Sequence, residues 1–385
     1  MKKIAVSLLA LTLAVLLAAP AMAASITPYA SMRLGTFWTH WDYNDKSGAA
    51  GSDEDDDLNI DLAEISRFGA KGQVGDIYGV VELGLRHSAN SAGYDVTAQG
   101  AKPHYNRHVY TRLIYGKYKF NSGTLLVGQN YTPPTFPSAQ QGPGAFNLQN
   151  GFISVGCLWD RRWPQIKVTL DNGFYAAAVE PFAGASVSGA PAPPAGLAAG
   201  GDYDVTLPKL FVGWDFKQDG LYLGPGFGYS QFNYDNGTTF DDTIDSWLLF
   251  LKGKAALGAV DLQFAVHYGV NITDFGILAR PAASAAQLDP SGDIEDAQSW
   301  GGYIQGSFKV DPATVSIGWG YVADENDVIG NDSDEKMGLF VNCKIPIADT
   351  FFVVPEINYW DGMDDANGRE DPDSWNVGVL WQMDF

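Results

Sequence analysis

The side chains that could do chemistry in this sequence are few in type. Five His stand at positions 40, 87, 104, 108 and 267, two Cys at 157 and 343, and 45 Asp+Glu are set against 24 Lys+Arg. His104 and His108 are four apart, a ligand spacing on a helix, but their neighbours read as a loop running into a strand. There is no Gly-x-Ser-x-Gly elbow, no His-Glu-x-x-His, no phosphate loop and no Cys-x-x-Cys. The runs Asp53-Glu54-Asp55-Asp56-Asp57 and Asp361-Gly362-Met363-Asp364-Asp365 offer hard oxygen ligands for calcium, yet neither has the spacing of an EF-hand loop. A solvated acidic face outweighs a dedicated metal site, and no cofactor is expected. Plentiful carboxylates and 11 Trp leave one enzymatic reading open, a secreted β-rich carbohydrate-active enzyme.

Composition narrows the partners. A net charge of -21 and a pI near 4.4 repel polyanions, so nucleic acid is excluded as a ligand. Aromatic content of 13% is far above that of a solvated, disordered chain. Residues 1–23 read as a cleaved signal peptide: Lys2 and Lys3, the apolar run from Ile4 to Ala19, then Ala21-Met22-Ala23 as a small-x-small cleavage site. Export follows, and residues 24–385 form the mature domain. That domain has no apolar run long enough for a spanning helix, which leaves a barrel open. Cys157 and Cys343 either pair or remain two buried thiols.

The elements that must position any site alternate with period two. In the last strand Trp375, Val377, Val379, Trp381, Met383 and Phe385 share one face, opposite Ser374, Asn376, Gly378, Leu380, Gln382 and Asp384. Val260 to Asn271 and Thr314 to Tyr321 repeat the pattern. Small and polar residues on one face suit a water-filled interior, and a continuous apolar face suits lipid. Turn signals divide the chain into sixteen strands, at 25–42, 58–72, 76–88, 106–120, 124–132, 161–170, 173–181, 205–217, 220–233, 243–256, 259–271, 297–309, 313–323, 335–346, 350–360 and 373–385. Short turns alternate with long connections at 43–57, 89–105, 133–160, 182–204, 272–296, 324–334 and 361–372. The fold class that follows is all-β, a 16-stranded antiparallel transmembrane β-barrel with short periplasmic turns and long extracellular loops. Trp38, Trp41, Tyr43, Trp300, Tyr359, Trp360 and Trp375 are expected in interfacial aromatic girdles. Strand parity sets Cys343 outward, between inward Asn342 and Lys344.

Particular residues add a family resemblance. Ser66-Arg67-Phe68-Gly69-Ala70-Lys71-Gly72, followed by Tyr78-Gly79-Val80-Val81-Glu82-Leu83, resembles the second-to-third strand hairpin of Gram-negative trimeric general porins. Thr111-Arg112-Leu113, Gly123 and Gly128-Gln129-Asn130-Tyr131 resemble that family's next hairpin. The ending Val379 to Phe385, with Trp381, Met383 and Phe385 on one face, resembles the aromatic signal the family presents to the outer-membrane assembly machinery. With the sixteen-strand layout the resemblance covers essentially all of the mature chain, and the branch found in sulfate-reducing bacteria is a closer candidate. It implies a homotrimer in the cell outer membrane, in contact with lipid and lipopolysaccharide, with divalent cations bridging the acidic loops. Its function would be passive diffusion of ions and small hydrophilic solutes, or of one sugar or anion class.

The resemblance also implies that the third loop, roughly 133–160, folds inward and narrows the pore against wall arginines. Arg67 and Arg112 match such arginines, Arg112 within a one-residue ambiguity of parity. Arg161 and Arg162 follow the loop, and Glu82 shares inward parity with Arg86. These arginines either form a basic constriction or pair with wall carboxylates. One departure stands out: between Tyr131 and Asp160 there is no Asp or Glu. The charge of the outer loops is acidic, whereas Lys71, Lys117, Lys119, Lys217, Lys252, Lys254, Lys309 and Lys344 fall near the short turns. Heating discriminates the porin from the enzyme: a trimeric barrel migrates anomalously on gels until boiled, and a soluble monomer in either condition would overturn the barrel.

Overall fold

The computed structural model describes residues 25–42, 54–63, 65–87, 107–142, 155–181, 202–235, 241–275, 285–288, 294–328, 330 and 332–385. The signal segment, Tyr43, Asp53 and the loops around 88–106 and 182–201 lie outside them. Sixteen antiparallel strands close into one barrel. They are β1 (Ser25–Asp42), β2 (two segments, Glu54–Leu62 and Arg67–Val74), β3 (Ile77–His87), β4 (Arg107–Phe120), β5 (Gly123–Tyr131), β6 (Arg162–Leu170), β7 (Phe174–Val179) and β8 (Lys209–Trp214, running on through Phe216–Gln218). There follow β9 (Leu221–Asp235), β10 (Asp241–Leu257), β11 (Val260–Val270), β12 (Gln298–Val310), β13 (Ala313–Glu325), β14 (Asp334–Ala348), β15 (Phe351–Asp361) and β16 (Asp373–Asp384). Asp202–Asp204 adds to the outer end of β9, and a single 3-10 turn, Ile272–Phe275, follows β11.

Closure is the decisive feature. Leu34 of β1 pairs with Leu62 on one side and with Trp381 of β16 on the other, so no strand presents an unpaired edge. Alternation then sorts the side chains. Along β11, Ala265 and His267 are 0% and 5% exposed, while Val266 and Tyr268 are 48% and 42% exposed. The same division holds in β16, where Trp375 and Val377 face out and Ser374 and Asn376 face in. An exterior band of exposed aliphatic and aromatic side chains of this extent would aggregate in water and is stable against hydrocarbon.

Two expectations need correction. Trp38, Trp300 and Trp375 face outward, and Tyr359 packs on Trp375 at 4.7 Å, as a girdle requires. Trp41 and Trp360, however, point into the lumen, edge to face at 5.7 Å, packed with Val155 and Val322. They share inward parity with Thr39 and Asn358, which a reading by position near strand ends overlooked. The lumen is also not uniformly polar: Tyr175, Phe211, Leu248, Phe250 and Tyr303 form an inward apolar cluster around Cys157 and Leu158. No disulfide joins Cys157 and Cys343, and the Cys157 thiol donates to the Phe136 carbonyl.

β2 is broken where the sequence suggested one continuous strand. Between its segments the chain steps out of register, and the gap is filled by Ser66, whose hydroxyl accepts from Arg33 N–H and donates to Arg33 C=O, both at 3.0 Å. A second irregularity in the β3–β4 ladder lies between Glu82 and Leu83 and settles the parity of Arg112, which points inward and is 1% exposed. Mid-strand position decides how charge is tolerated. Val266→Lys is expected to cost about 2–4 kcal/mol in lipid-vesicle unfolding, as lysine does on a lipid face, and Thr169→Lys, facing the lumen, under about 1 kcal/mol. Equal costs would mean the two faces are assigned wrongly.

Candidate functional site

The long connection between β5 and β6 enters the barrel and lies on its inner wall. After Thr132 the chain crosses to β10, where Lys252 Nζ donates to the carbonyl of Pro133. It then follows the wall strand by strand. Gln263 of β11 donates to the Pro137 carbonyl at 2.7 Å, Gln305 of β12 accepts from Ala139 N–H at 2.7 Å, and Asn342 of β14 donates to the Ala139 carbonyl at 2.8 Å. Gln140 donates to Asn358 of β15 at 2.6 Å. Each of these wall residues is an inward Lys, Gln or Asn; the first four reach and satisfy the loop backbone, and Asn358 meets the Gln140 side chain.

Glu356 of β15 holds the next two residues. Its carboxylate accepts from Gln141 N–H at 2.7 Å, from Gly142 N–H, and from Asn342 and Asn358 at 2.8 and 2.9 Å. The arrangement is the reverse of the one the resemblance implied: the loop supplies amide donors, and the wall supplies the carboxylate. Four N–H donors delocalise the charge and leave little of it for a passing solute. The returning limb is as close. Gly156 adopts φ +75° and lies on Gly302, and a Cβ on Gly320 would meet the Val155 carbonyl oxygen at 1.8 Å, so only glycine fits there. The limb is anchored by Asp160, which accepts from Lys209 Nζ of β8 at 2.8 Å with both side chains buried. Burial pushes the Asp160 carboxyl up, and Lys209 pulls it back. Lys209 also donates to the Asp274 carbonyl at 3.0 Å. The Asp274 carboxyl is pushed up to about 6 by burial, against the downward pull of its bond from Ser246.

Facing the loop tip is a basic wall on β1, β2 and β4. Glu82 of β3 accepts from Arg112 Nε at 2.8 Å through one oxygen and from Tyr29 at 2.9 Å through the other, with Arg67 Nε at 3.4 Å. Arg112 reaches on to Tyr110 and Tyr131, at 3.3 and 3.1 Å. Arg33 belongs to the same group: it lies within electrostatic reach of Arg67 and Arg112 and approaches Gln141 Oε1 at 3.5 Å. Through Ser31 it is linked to Asp384, with Lys344 nearby. Among the described residues these four cations share two carboxylates, Glu82 and Asp384.

The structure brings together Arg67, Glu82 and Arg112 among the residues singled out from sequence. Arg162 instead stacks over Tyr131 and Trp159, at 5.5 and 5.7 Å, and Arg161 lies beside Asp160. Arg86 pairs with His108 in the β3–β4 ladder, and its side chain is outside the described residues. Sequence reasoning missed Arg33 and Glu356. Parity was the available signal, since Arg33 shares a face with Phe37 and Thr39, and Glu356 with Asn358. Trp381 and Phe385 face outward, and Phe385 closes the barrel by exchanging backbone hydrogen bonds with Ala30. Among the described residues no three His, Cys, Asp or Glu side chains gather as a metal site. Lys336 pairs with Asp334 of β14 and Asp371 of the last loop, and Arg369 pairs with Asp365.

No protein-family model matches the chain, and no curated protein matches it either. Solved structures do. The outer membrane channel DcaP of Acinetobacter baumannii superposes with TM-score 0.65 at 15% identity, covering 94% of this chain and 97% of that one. OmpF of Salmonella typhi, in a complex with daunomycin, gives 0.56 at 12%, covering 93% and 97%. An anion-selective porin from Comamonas acidovorans gives 0.51 at 13%, covering 94% and 100%. Identities this low establish the fold, that of the 16-stranded outer-membrane barrels.

The buried ion pair is the sharpest test of the loop's anchorage. Lys209→Met strands the Asp160 carboxylate and is expected to cost about 3–5 kcal/mol. The double variant Lys209→Met/Asp160→Leu should recover most of that loss, because an apolar pair no longer buries an uncompensated charge. Urea midpoints of the folded barrel measure both, and equal midpoints for the two variants would remove the ion pair from the account.

Proposed function

We propose that this chain is an outer-membrane porin, a water-filled channel for passive diffusion of ions and small hydrophilic solutes, in which no chemical step occurs. The observation that carries the reading is the closed barrel with an apolar exterior whose lumen is crossed by a loop lying against a basic wall. A backbone fully paired around a ring is what lipid demands, and a polar ring of this size leaves room for water. The likeness to outer-membrane channels supports the location in the cell outer membrane, with lipid and lipopolysaccharide around the barrel and the acidic loops outside, where divalent cations would bridge them to lipopolysaccharide. A homotrimer is proposed on the same ground; one matched structure is OmpT of Vibrio cholerae in a trimer form, at TM-score 0.55 and 16% identity. The outward Trp381, Met383 and Phe385 are proposed as the assembly signal.

The constriction is proposed at the arginine wall and the loop tip, at Arg33, Arg67, Arg112 and Glu82. With no acid between Tyr131 and Asp160, and Glu356 saturated by donors, the field there favours anions. That observation also supports a channel dedicated to anions as the second reading, in line with the anion-selective porin from Comamonas acidovorans. Planar-bilayer recordings in asymmetric salt test both. Stepwise channel insertion and a reversal potential of anion-selective sign are expected. Arg67→Gln should lower the anion-to-cation permeability ratio by up to about fivefold, the weight of one unit charge at about 4 Å in water. Absence of channels, or a protein that stays soluble without detergent, would end the porin reading.

A further inference from the structure

We propose that the lumen holds a second anion site beneath the inserted loop, a basin formed by Lys117, Lys167, Lys217 and Lys252 that takes a doubly charged tetrahedral oxyanion of the phosphate or sulfate class. It deepens the channel reading, since the basin lies on the same solute path. The four lysines come from alternate strands, β4, β6, β8 and β10, at inward positions close to the short turns. Register aligns them: Lys117 and Lys167 both pair with Leu126 of β5, and Lys217 pairs with Tyr222 of β9, which lies two residues from Gly224, the partner of Lys252. Lys167 lies within electrostatic reach of Lys117 and Lys217, and Lys252 of Lys167 and Lys217. They form one group.

Among the described residues one carboxylate faces this group, and it is already engaged. Asp215 accepts from Tyr222 at 2.7 Å, and its other oxygen is 4.0 Å from Lys167 Nζ. Four ammonium groups against one carboxylate leave an excess of three positive charges. The cations rest on aromatic faces instead, Lys167 at 4.1 Å over Tyr175, Lys117 at 5.4 Å over Tyr115 and Lys217 at 5.9 Å over Tyr222. A second, independent observation points to a ligand. The Tyr175 hydroxyl is buried on a residue 1% exposed, lies in the field of Asp215, and has no hydrogen-bond partner among the described residues. A buried O–H donor beside a cluster of cations is what an oxyanion satisfies, because its oxygens accept from both. Lysine suits the task as a point charge with rotatable donors, and a dianion gains twice the attraction of chloride. The basin is distinct from the arginine wall: on β4, Lys117 is five residues below Arg112, on the order of 15 Å along the strand. The loop roofs it through the bond from Lys252 to the Pro133 carbonyl.

Equilibrium dialysis of inorganic phosphate against the whole detergent-folded protein reads the site without requiring conduction, and phosphate block of chloride current reads it in the bilayer. Saturable binding is expected, weakened about thirtyfold in each of Lys117→Gln, Lys167→Gln and Lys217→Gln, the weight of one unit charge against a dianion at about 4 Å in water. Asp215→Asn should tighten it by a similar factor, so a variant that merely unfolds is told apart from one that acts on the site, and anomalous gel migration before boiling verifies folding in each. Glycerol 1-phosphate binding as tightly as inorganic phosphate would assign the site to phosphate esters, and weaker binding to the free ion. Phosphate affinity unchanged across the lysine variants and Asp215→Asn overturns the basin. Phosphate binding intact with no channels in the bilayer overturns the channel reading and leaves the basin standing.

Discussion

Everything in this molecule depends on the ring of backbone hydrogen bonds that closes between β1 and β16. In hydrocarbon an unpaired N–H or C=O has no solvent partner, so the sheet must leave no edge. Once it closes, parity is forced: each residue faces either lipid or lumen, and a shift by one exchanges the two. The exposed Val266 and the wholly buried Ala265 beside it are consequences of closure. The same ring explains a charged fraction of only 18%, because half of every strand has to stay apolar.

Closure around sixteen strands leaves an interior too wide for wall side chains to fill. The inserted loop is the answer, and its presence imposes its own requirement, since a loop inside a barrel brings backbone polar groups that must be satisfied there. Inward Gln263, Gln305, Asn342 and Glu356 meet that need on one limb. The glycines at 302 and 320 admit the other. The apolar cluster around Cys157 and Leu158 is the packing counterpart of these polar contacts. The loop is thus held by the wall from β10 to β15, and its Gln141 approaches Arg33 on β1.

Strand number, parity and the division of loops into short and long were legible because a period of two is written into each strand separately. Parity placed Cys343, Asn376 and Val266 on their faces with no knowledge of neighbours. What failed was whatever depended on a local break of that period. The Ser66 insertion in β2 and the irregularity at Glu82 are invisible to alternation, and the second of them settles the inward direction of Arg112. Trp41 and Trp360 were read from proximity to strand ends, when parity alone would have turned them inward. Glu356 was legible as an inward acid, but its role was not, since that required knowing where Gln141 and Gly142 lie. Arg161 and Arg162 followed the loop in sequence and were therefore grouped with it, whereas the turn at Arg161, with φ 55°, sends the pair to different partners.

Among the described residues the charges follow an order along the axis: acids such as Asp334, Asp365 and Asp371 at the long-loop end, then Arg33, Arg67 and Arg112, then the lysines near the short turns. Electrostatic influence in salt water decays over about 8 Å at physiological ionic strength, while successive levels here are separated by about twice that. On the proposed channel reading an acidic mouth would not cancel the basic wall; it would act on the concentration of ions at the opening, and the wall on those that have entered. Low-dielectric walls sharpen the second effect, since field lines of Arg67 and Lys167 are confined to the lumen. A net charge of -21 on the whole chain consequently says little about which ion the lumen favours. On the channel reading proposed above, the sign of selectivity is set by the few inward cations that strand parity brings into the lumen.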